Sequence, residues 1–468
     1  MKHNKTTFAL FFGNRGFFPA SLMKGARQEL VQVLKSLGHD SIILEASATR
    51  HGAVETPDEG LIYAEFLRRN RGKFGGVILC LPNFGDETGA VAALKDAGVP
   101  ILVQAYPDEL DKMAPELRRD SFCGKFSVMD VFCQYGVKFT TLSPHTVAPS
   151  SPEFAANIEY FDSLCKVVNG MKNLVVGAVG ARTTAFKTVR CDELALQKHG
   201  ITVETMDLSD VFMRVEKLKV SSPEYKKKAA VLKNYTSWKG VPAKAFETIT
   251  RLGVVLDQIQ QDQRLDALAI RCWVEMQTQL NISPCVLLSE LNDRGIATAC
   301  EVDIGNAVTM HALRMASGKP ATCLDWNNNY GDDSNKCILF HCGPVPQSLM
   351  TGKGQITDHA ILANAVGPNC SFGCNIGRIA PTEITYGSML TDNGELKFYL
   401  GQARFTDDPI PEDFFGCAAV AEFSDMQKTL QTIGYAGYRH HVSITPGTVM
   451  DPVKDAFEKY LGYKVISV

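Results

Sequence analysis

Short apolar runs alternate with amphipathic stretches through the first 150 residues, and this alternation restricts the fold more than any other feature. The apolar runs have the length of buried strands, and the stretches between them have helical periodicity, as at 20–38, where the pattern closes on a glycine. This combination is typical of parallel βαβ units. The strands are predicted at 8–12, 41–45, 76–81 and 100–105. We therefore expect a doubly wound parallel sheet.

The alternation restarts after a polar helical stretch, and the chain then changes character. Further strands are predicted at 174–179, 201–207, 267–272 and 296–300. From residue 321, loop-rich segments such as 325–330 separate β-type runs. We predict three domains: an α/β domain at 1–165, a second α/β domain at 166–320 that carries the site carboxylates, and a β-rich, barrel-like domain at 321–468.

Composition excludes several classes of protein. The 468 residues are 45% hydrophobic and carry a formal charge of −3, which argues against a disordered chain and against a general nucleic-acid binder. No apolar run is long enough to span a bilayer. The 14 cysteines are scattered through apolar runs and are expected to be reduced core residues, and the pair Cys370 and Cys374 lacks a second pair to complete a zinc site. We expect a cytoplasmic protein.

Acidic residues follow two neighbouring strands of the second predicted sheet. Glu275 lies just past the strand at 267–272, and Glu301 and Asp303 lie at the end of the strand at 296–300. Because open parallel sheets bind ligands at the carboxyl ends of their strands, these side chains should converge. Two convergent carboxylates suit either a hard divalent cation or a pair of proton-transfer groups. The alternative is that each acid caps the next helix or remains solvated.

Two late histidine motifs offer a nitrogen ligand. Adjacent residues on a strand point to opposite faces, so only one of His440 and His441 can face a given site. His341, at the end of an apolar run, is a second candidate. An imidazole added to two carboxylates would suit Mn²⁺, Fe²⁺ or Co²⁺, although either motif can also be structural.

Common nucleotide and hydrolase motifs are missing. The segment 177–180 lacks the dinucleotide-binding glycine spacing, and the sequence contains neither a P-loop nor a nucleophile elbow. Hydride transfer to NAD, phosphoryl transfer and serine hydrolysis therefore lose support.

Five segments carry a family resemblance, at 12–19, 273–275, 300–303, 339–343 and 440–441. Through them the sequence resembles the L-fucose isomerase family and, more distantly, L-arabinose isomerase. The resemblance extends over nearly the whole chain and follows the expected order of two α/β domains and a β-rich C-terminal domain. The family includes isomerases for other sugars, among them sulfoquinovose, which is a glucose with a sulfonate at carbon 6.

The resemblance implies a metal site and a reaction. A Mn²⁺ ion, or another divalent cation, would be held by a Glu, an Asp and a His, which fall on Glu275, Asp303 and His441, with His440 as the alternative. The reaction would convert an aldose to a ketose through an enediol. The family resemblance also implies a homo-oligomer, typically a hexamer, whose active sites are completed by a neighbouring subunit through the loop at 14–18, which contains Arg15.

Elementary chemistry is compatible with this reaction. A cation stabilises negative charge on the sugar oxygens, and Glu275 and Asp303 are the predicted proton-transfer groups. Trp326, Asn327 and His341 are predicted to contact the sugar. Arg15, Arg182, Lys187 and Arg439 are possible contacts to an anionic group. The alternatives are a non-catalytic sugar-binding or regulatory protein, or an enediolate enzyme of another type, an epimerase or an aldolase.

Overall fold

The computed structural model describes residues 5–468, so residues 1–4 of the predicted first domain lie outside it. Two compact units divide the chain: the first extends to Asn169 and also includes Asp455–Gly462, and the second comprises Gly170–Lys454 and Tyr463–Val468. The three-domain division of the sequence stays a prediction. Within the described part of the chain, no helix is both long and apolar enough to cross a membrane.

A parallel four-stranded sheet forms the centre of the first unit. Its strands lie in the order β2-β1-β3-β4, and apolar side chains bury β1, β3 and β4 completely. The strands are Phe8–Phe12 (β1), Ser41–Ile43 (β2), Gly76–Leu81 (β3) and Ile101–Ala105 (β4). The helices of this part of the chain are Ser21–Ser36 (α1), Pro57–Arg69 (α2), Glu87–Leu94 (α3), Ser121–Gln134 (α4) and Pro152–Met171 (α5).

The second unit begins with another parallel sheet of the same strand order, β6-β5-β7-β8. Its strands are Val175–Val179 (β5), Thr202–Met206 (β6), Ala267–Ile270 (β7) and Ala297–Cys300 (β8). Its helices are Glu193–Lys198 (α6), Leu208–Lys217 (α7), Pro223–Tyr235 (α8), Ala243–Asp262 (α9), Glu275–Leu280 (α10), Cys285–Asp293 (α11) and Ile304–Ser317 (α12). The parallel α/β prediction is confirmed.

The rest of the second unit is a closed six-stranded barrel with extra strands. The barrel order is β15-β10-β9-β16-β13-β14, and a short β14–β15 pairing closes it; β12 and β11 extend the sheet from β15, and β17 adds to β14. The strands are Thr322–Tyr330 (β9), Asp333–His341 (β10), Gln355–Thr357 (β11), Cys374–Arg378 (β12), Thr382–Asp392 (β13), Glu395–Phe405 (β14), Cys417–Glu422 (β15), His441–Pro446 (β16) and Lys464–Ser467 (β17). The helices are Ala363–Val366 (α13), Met426–Tyr435 (α14) and Met450–Asp455 (α15), which runs into a π-helical turn at Ala456–Leu461.

Local sequence explains the barrel's longest hairpin. Asn393 and Gly394 join β13 to β14, and both have positive φ, 51° and 74°. Asn-Gly is the preferred pair for such a two-residue turn because both residues tolerate this backbone conformation. The β-rich, barrel-like prediction is confirmed, but the segment predicted as a loop at 325–330 belongs to β9.

Helix α12 connects the parallel sheet to the barrel. It follows β8 and packs against β8 on one side and against β13 and β16 on the other. The Ser443 hydroxyl of β16 donates to the Asn306 side-chain oxygen of α12 at 2.7 Å. This packing brings the end of β8 next to the start of β16, where the candidate site lies.

Candidate active site

The backbone turns sharply where β8 ends. Glu301 and Val302 both have positive φ, 61° and 57°, a region that residues with a side chain rarely adopt. Two consecutive residues of this kind cost of order 1–3 kcal/mol each and tend to occur at functional sites. The turn gives Glu301 and Asp303 separate environments instead of a common strand face.

Asp303 is completely buried and fully hydrogen-bonded. One oxygen, Oδ1, accepts from Arg439 Nη1 at 2.6 Å and from the Asn306 amide at 3.0 Å, so the side chain also caps α12. The other oxygen, Oδ2, accepts from His441 Nδ1 at 2.7 Å and from Asn306 Nδ2 at 2.7 Å. Burial opposes the charge, but Arg439 and His441 outweigh it and hold the pKa of Asp303 well below its usual range. Asp303 is therefore an ionised group that orients His441.

His441 is the first residue of β16 and is also completely buried. Because a carboxylate only accepts, the bond to Asp303 requires a proton on Nδ1, so in the neutral ring Nε2 has a free lone pair. Nε2 lies 2.8 Å from Glu301 Oε2 and 3.4 Å from Asp325 Oδ1. Burial favours the neutral ring, but hydrogen bonds and charges from Asp303 and Glu301 raise the pKa of His441 to about 10.

Glu301 and Asp325 approach His441 from two different elements. Glu301 Oε1 accepts from Trp273 Nε1 at 2.8 Å, which leaves Oε2 directed at His441. Asp325 lies on β9 directly opposite His441 in the strand register. Burial would raise the pKa of Glu301, but His441 outweighs it and lowers that pKa, whereas burial raises the pKa of Asp325.

His341, at the end of β10, presents a hydrogen-bond donor. Its Nδ1 accepts from the Cys342 amide at 2.8 Å, so the neutral ring carries its proton on Nε2. Burial lowers the pKa of His341, but the charges of Cys342 and Asp325 raise it overall to about 9, and the charged ring also has a proton on Nε2. Either form offers an N–H from Nε2.

The site fits a divalent cation. Two groups of potential ligands have their ligand atoms within 4.8 Å of one another, and both contain His441: one adds Glu301 and His341, and the other adds Asp325 and His440. His441 Nε2 faces two carboxylates, Glu301 Oε2 at 2.8 Å and Asp325 Oδ1 at 3.4 Å. Among the described residues, two buried atoms in these groups have no hydrogen-bond partner: Asp325 Oδ1 and His341 Nε2. Buried polar atoms are normally paired, so these atoms are available to a ligand. Because His341 Nε2 carries a proton, the residues that could hold a cation are Glu301, Asp325 and His441, whose carboxylate oxygens approach the same ring nitrogen.

The predicted residues of the α/β domains have other partners. Glu275 is hydrogen-bonded by Arg271, with Nε 2.5 Å from Oε2, and its side chain is 39% exposed. It belongs to none of the ligand groups found among residues 5–468. In the first unit, Arg15 donates to the Gly85 carbonyl at 2.8 Å and pairs with Glu87.

Trp326 and Asn327, the two β9 residues predicted to contact the sugar, lie in different environments. Trp326 packs with the barrel core, where its Nε1 donates to the Tyr399 hydroxyl at 3.2 Å. Asn327 is exposed and donates to Asn328. The neighbouring Asp325, which the sequence analysis did not select, faces His441.

An aromatic ring that sequence reasoning missed lies beside the cluster. The Phe186 ring centroid is 5.6 Å from that of His441, 5.5 Å from that of His440 and 5.8 Å from that of Trp273. Arg182 holds this loop by donating to the Thr183 carbonyl at 3.0 Å and to the Phe186 carbonyl at 3.3 Å. No spacing in the sequence distinguishes Phe186 from other loop aromatics.

Known proteins match both ends of the chain. Residues 9–172 match the N-terminal domain of fucose/sulfoquinovose isomerases, and residues 339–468 match the C-terminal domain of L-fucose isomerase. The matched parts include His341 and His441 but not Glu301, Asp303 or Asp325.

Individual relatives are similar at low identity. A sulfoquinovose isomerase of Priestia aryabhattai is 26% identical over 298 residues, which is 62% of this chain and 63% of that protein. One from Clostridium sp. (strain MSTE9) is 26% identical over 309 residues, 65% of this chain and 67% of the relative. One from Alkalicoccus urumqiensis is 23% identical over 385 residues, 80% and 81% of the two chains. The match thus spans about 63% of the length of the first of these relatives. The two domain matches, in this order and over more than half of the sequence, show that the chain belongs to the fucose/sulfoquinovose isomerase family.

Proposed function

We propose that the chain is a metal-dependent aldose–ketose isomerase that acts on a hexose or 6-substituted hexose through an enediol. The observation that carries the proposal is that Glu301 Oε2 and Asp325 Oδ1 both approach His441 Nε2, at 2.8 and 3.4 Å, in a chain of an isomerase family. The names of the relatives make conversion of sulfoquinovose to sulfofructose our first candidate reaction.

The donors Glu301, Asp325 and His441 would hold the cation, with Mn²⁺ as our candidate by family resemblance. A bound divalent cation supplies Lewis-acid stabilisation of negative charge on the sugar oxygens. In the chain itself, Phe186 packs against the His441 ring, and Asp303 keeps His441 in one orientation, as carboxylates commonly do for metal-binding histidines.

Proton transfer between carbon 2 and carbon 1 is assigned to the two carboxyl groups that face the cluster. Groups whose environments move their pKa values apart are natural acid and base partners. Glu301, whose pKa is lowered, is the candidate base, and Asp325, whose pKa is raised, is the candidate acid. His341 Nε2 donates to a sugar oxygen. Glu275, the base predicted from the sequence, reaches a sugar only by leaving Arg271.

Lys187 is our candidate for contact with a sulfonate. Of the four basic residues considered, Arg15, Arg182 and Arg439 already donate to protein groups. Lys187 is exposed and directly follows Phe186. Its replacement by Ala should raise KM for a sulfonated aldose without changing KM for a neutral one.

A panel of aldoses tests the proposal. The protein is dialysed against EDTA, supplied with Mn²⁺, and assayed for ketose formation and for deuterium exchange at carbon 2 with neutral aldoses and with sulfoquinovose. We expect turnover that EDTA removes and Mn²⁺ restores. Sugar binding without turnover or exchange with any divalent cation would indicate a binding protein, and an epimer or a cleavage product would indicate another enediolate enzyme.

The assembly and the location of the protein are also proposals. Family resemblance supports a homo-oligomer in which a neighbouring subunit completes each site through the loop at 14–18, and a cytoplasmic sugar enzyme. Analytical ultracentrifugation, combined with assays of mixed subunits that carry complementary inactivating substitutions, tests the shared site. Recovery of activity on mixing is expected only if subunits share sites.

A further inference from the structure

Several buried thiols lie directly behind the candidate active site. Cys300 precedes Glu301, and Cys342 follows His341. Cys285 Sγ lies 3.6 Å from Cys342 Sγ and 4.0 Å from Cys374 Sγ, and Cys272 Sγ lies 2.9 Å from Cys300 Sγ. These cysteines come from β8, α11, β12 and the segments after β7 and β10. The fold therefore gathers in one place thiols that are far apart in sequence.

The spacing of one part of this group suits a metal ion. The ligand atoms of Cys300, His341 and Cys342 all lie within 4.8 Å of one another. His341 Nδ1 is 3.2 Å from Cys342 Sγ, and Cys285 Sγ lies 3.6 Å from the same sulfur. Two thiolates on one tetrahedral zinc ion are roughly 3.8 Å apart, as follows from a Zn–S bond of about 2.3 Å. The sulfurs of Cys285 and Cys300 thus both lie near Cys342 Sγ, at spacings that one thiolate-bound ion can bridge.

We propose that Cys285, Cys300 and Cys342 form a second cation site, selective for thiophilic ions such as Cd²⁺ and Zn²⁺. Thiolates select soft and borderline cations, whereas the site made by Glu301, Asp325 and His441 has the oxygen and imidazole donors that harder ions prefer. Binding releases the thiol protons to solvent. The two sites are chemically distinct although they adjoin.

Simple apolar packing is the competing explanation, because buried free cysteines often act as small hydrophobic residues. Packing accounts for Cys80, which is buried within β3 of the first sheet. It does not account for sulfurs that contact one another and an imidazole nitrogen. The arrangement around Cys342 is that of a ligand set.

His341 connects the two sites. Its Nδ1 faces the thiols, and its Nε2 faces the ligand group of Glu301 and His441. A thiophilic ion holds Cys342, the residue after His341, and Cys300, the residue before Glu301. Occupation of the thiol site should therefore change the affinity of the harder site for its cation.

Cadmium titration of the full chain in excess Mn²⁺ tests the proposal. We expect about one Cd²⁺ per chain to bind and to produce the ultraviolet charge-transfer band of a cadmium thiolate. Cys342→Ser should abolish the band, whereas Cys80→Ser, a control at a buried cysteine of the first sheet, should retain it.

X-ray absorption of wild-type protein with one equivalent of Cd²⁺ avoids any folding defect of the variants. Sulfur neighbours of the metal are the expected result. Nitrogen and oxygen neighbours only, displacement of Mn²⁺ without a thiolate band, or an unchanged band in folded Cys342→Ser would each overturn the proposal.

Discussion

Asp303 illustrates how a carboxylate can serve a site that it does not enter. Both of its oxygens accept from protein donors, and its charge balances the buried Arg439 guanidinium. Because it accepts from Nδ1 of His441, it fixes Nε2 as the nitrogen whose lone pair the neutral ring can offer to a ligand. The sequence analysis predicted Asp303 as a direct ligand, and the geometry supports instead a role through His441.

Asp303→Asn should lower both cation affinity and stability. Removing a carboxylate that orients a metal-binding histidine typically costs about 10- to 100-fold in affinity. Leaving Arg439 buried without its partner costs about 3–5 kcal/mol. Isothermal titration with Mn²⁺ and urea unfolding measure the two effects. The control is Asp425→Asn, which alters another helix-capping aspartate, that of α14, and should change neither quantity much. Equal effects in the two variants would contradict the role assigned to Asp303.

Cation binding should depend steeply on pH. In the cation-free chain the pKa of His441 is raised to about 10, so at neutral pH a cation must displace the proton from Nε2. Apparent affinity should therefore rise by about tenfold per pH unit from pH 6.5 toward 10. The raised pKa also stabilises the cation-free fold fully below pH 6.5, and this contribution is lost as pH rises through 10. Titration calorimetry in buffers of different ionisation enthalpy should detect about one proton released per bound cation at pH 7. Binding without proton release would contradict a protonated His441.

At the scale of elements, periodicity predicted the two parallel sheets and most barrel strands. It failed at 325–330, where a run of asparagines, residues depleted in strands, suggested a loop. In the structure this segment pairs with β10, and residues 322–325 of the same strand pair with β16. Long-range hydrogen bonds therefore override the local preference. The same limit applies to the site. The positions of the strand ends in the sequence correctly indicated where carboxylates gather. The turn at Glu301 and the register of Asp325 against His441 could not be predicted, because they depend on tertiary pairing.

Adjacent residues of β9 point to opposite faces, so Asp325 faces His441 while Trp326 packs in the barrel core. Asp325→Asn removes a carboxylate that faces His441 and should reduce kcat by at least 10²-fold, the usual scale for a proton-transfer group. Trp326→Phe removes a bond to Tyr399 in the barrel core and should cost about 1 kcal/mol of stability with little change in kcat. Steady-state kinetics and urea unfolding of both variants check this. A large rise in KM for Trp326→Phe would restore its predicted contact with the sugar.

At the scale of the whole molecule, the segments of the two units alternate along the sequence. After the barrel strand β16, Asp455–Gly462 belongs to the first unit, and Tyr463–Val468 belongs again to the second. Within the first unit, Tyr460 bonds through its hydroxyl to Thr140 at 2.9 Å, and its carbonyl accepts from Lys138 at 3.1 Å. Eight residues from near the end of the sequence thus complete a fold that begins at its start.

Tyr460→Phe tests this attachment. It deletes the hydroxyl that bonds Thr140 and should destabilise the protein by about 1 kcal/mol, with faster hydrogen exchange in β4, the strand that contains the other partner of this hydroxyl, Ile101. Tyr435→Phe is the matched control because that side chain is 93% exposed. Exchange in β4 that does not differ between the two variants would show that the segment is held by other contacts.

The position of residues 455–462 after the second unit's main segment also affects how the first unit is synthesised and how its gene can recombine. Residues 455–462 are synthesised only after residues 170–454 of the second unit, so the first unit cannot reach its final form before most of the second unit has been made. For the same reason, a gene cut after residue 169 would yield a first half that lacks residues 455–462, which are encoded with the second half. Recombination within this family should therefore exchange these two units together.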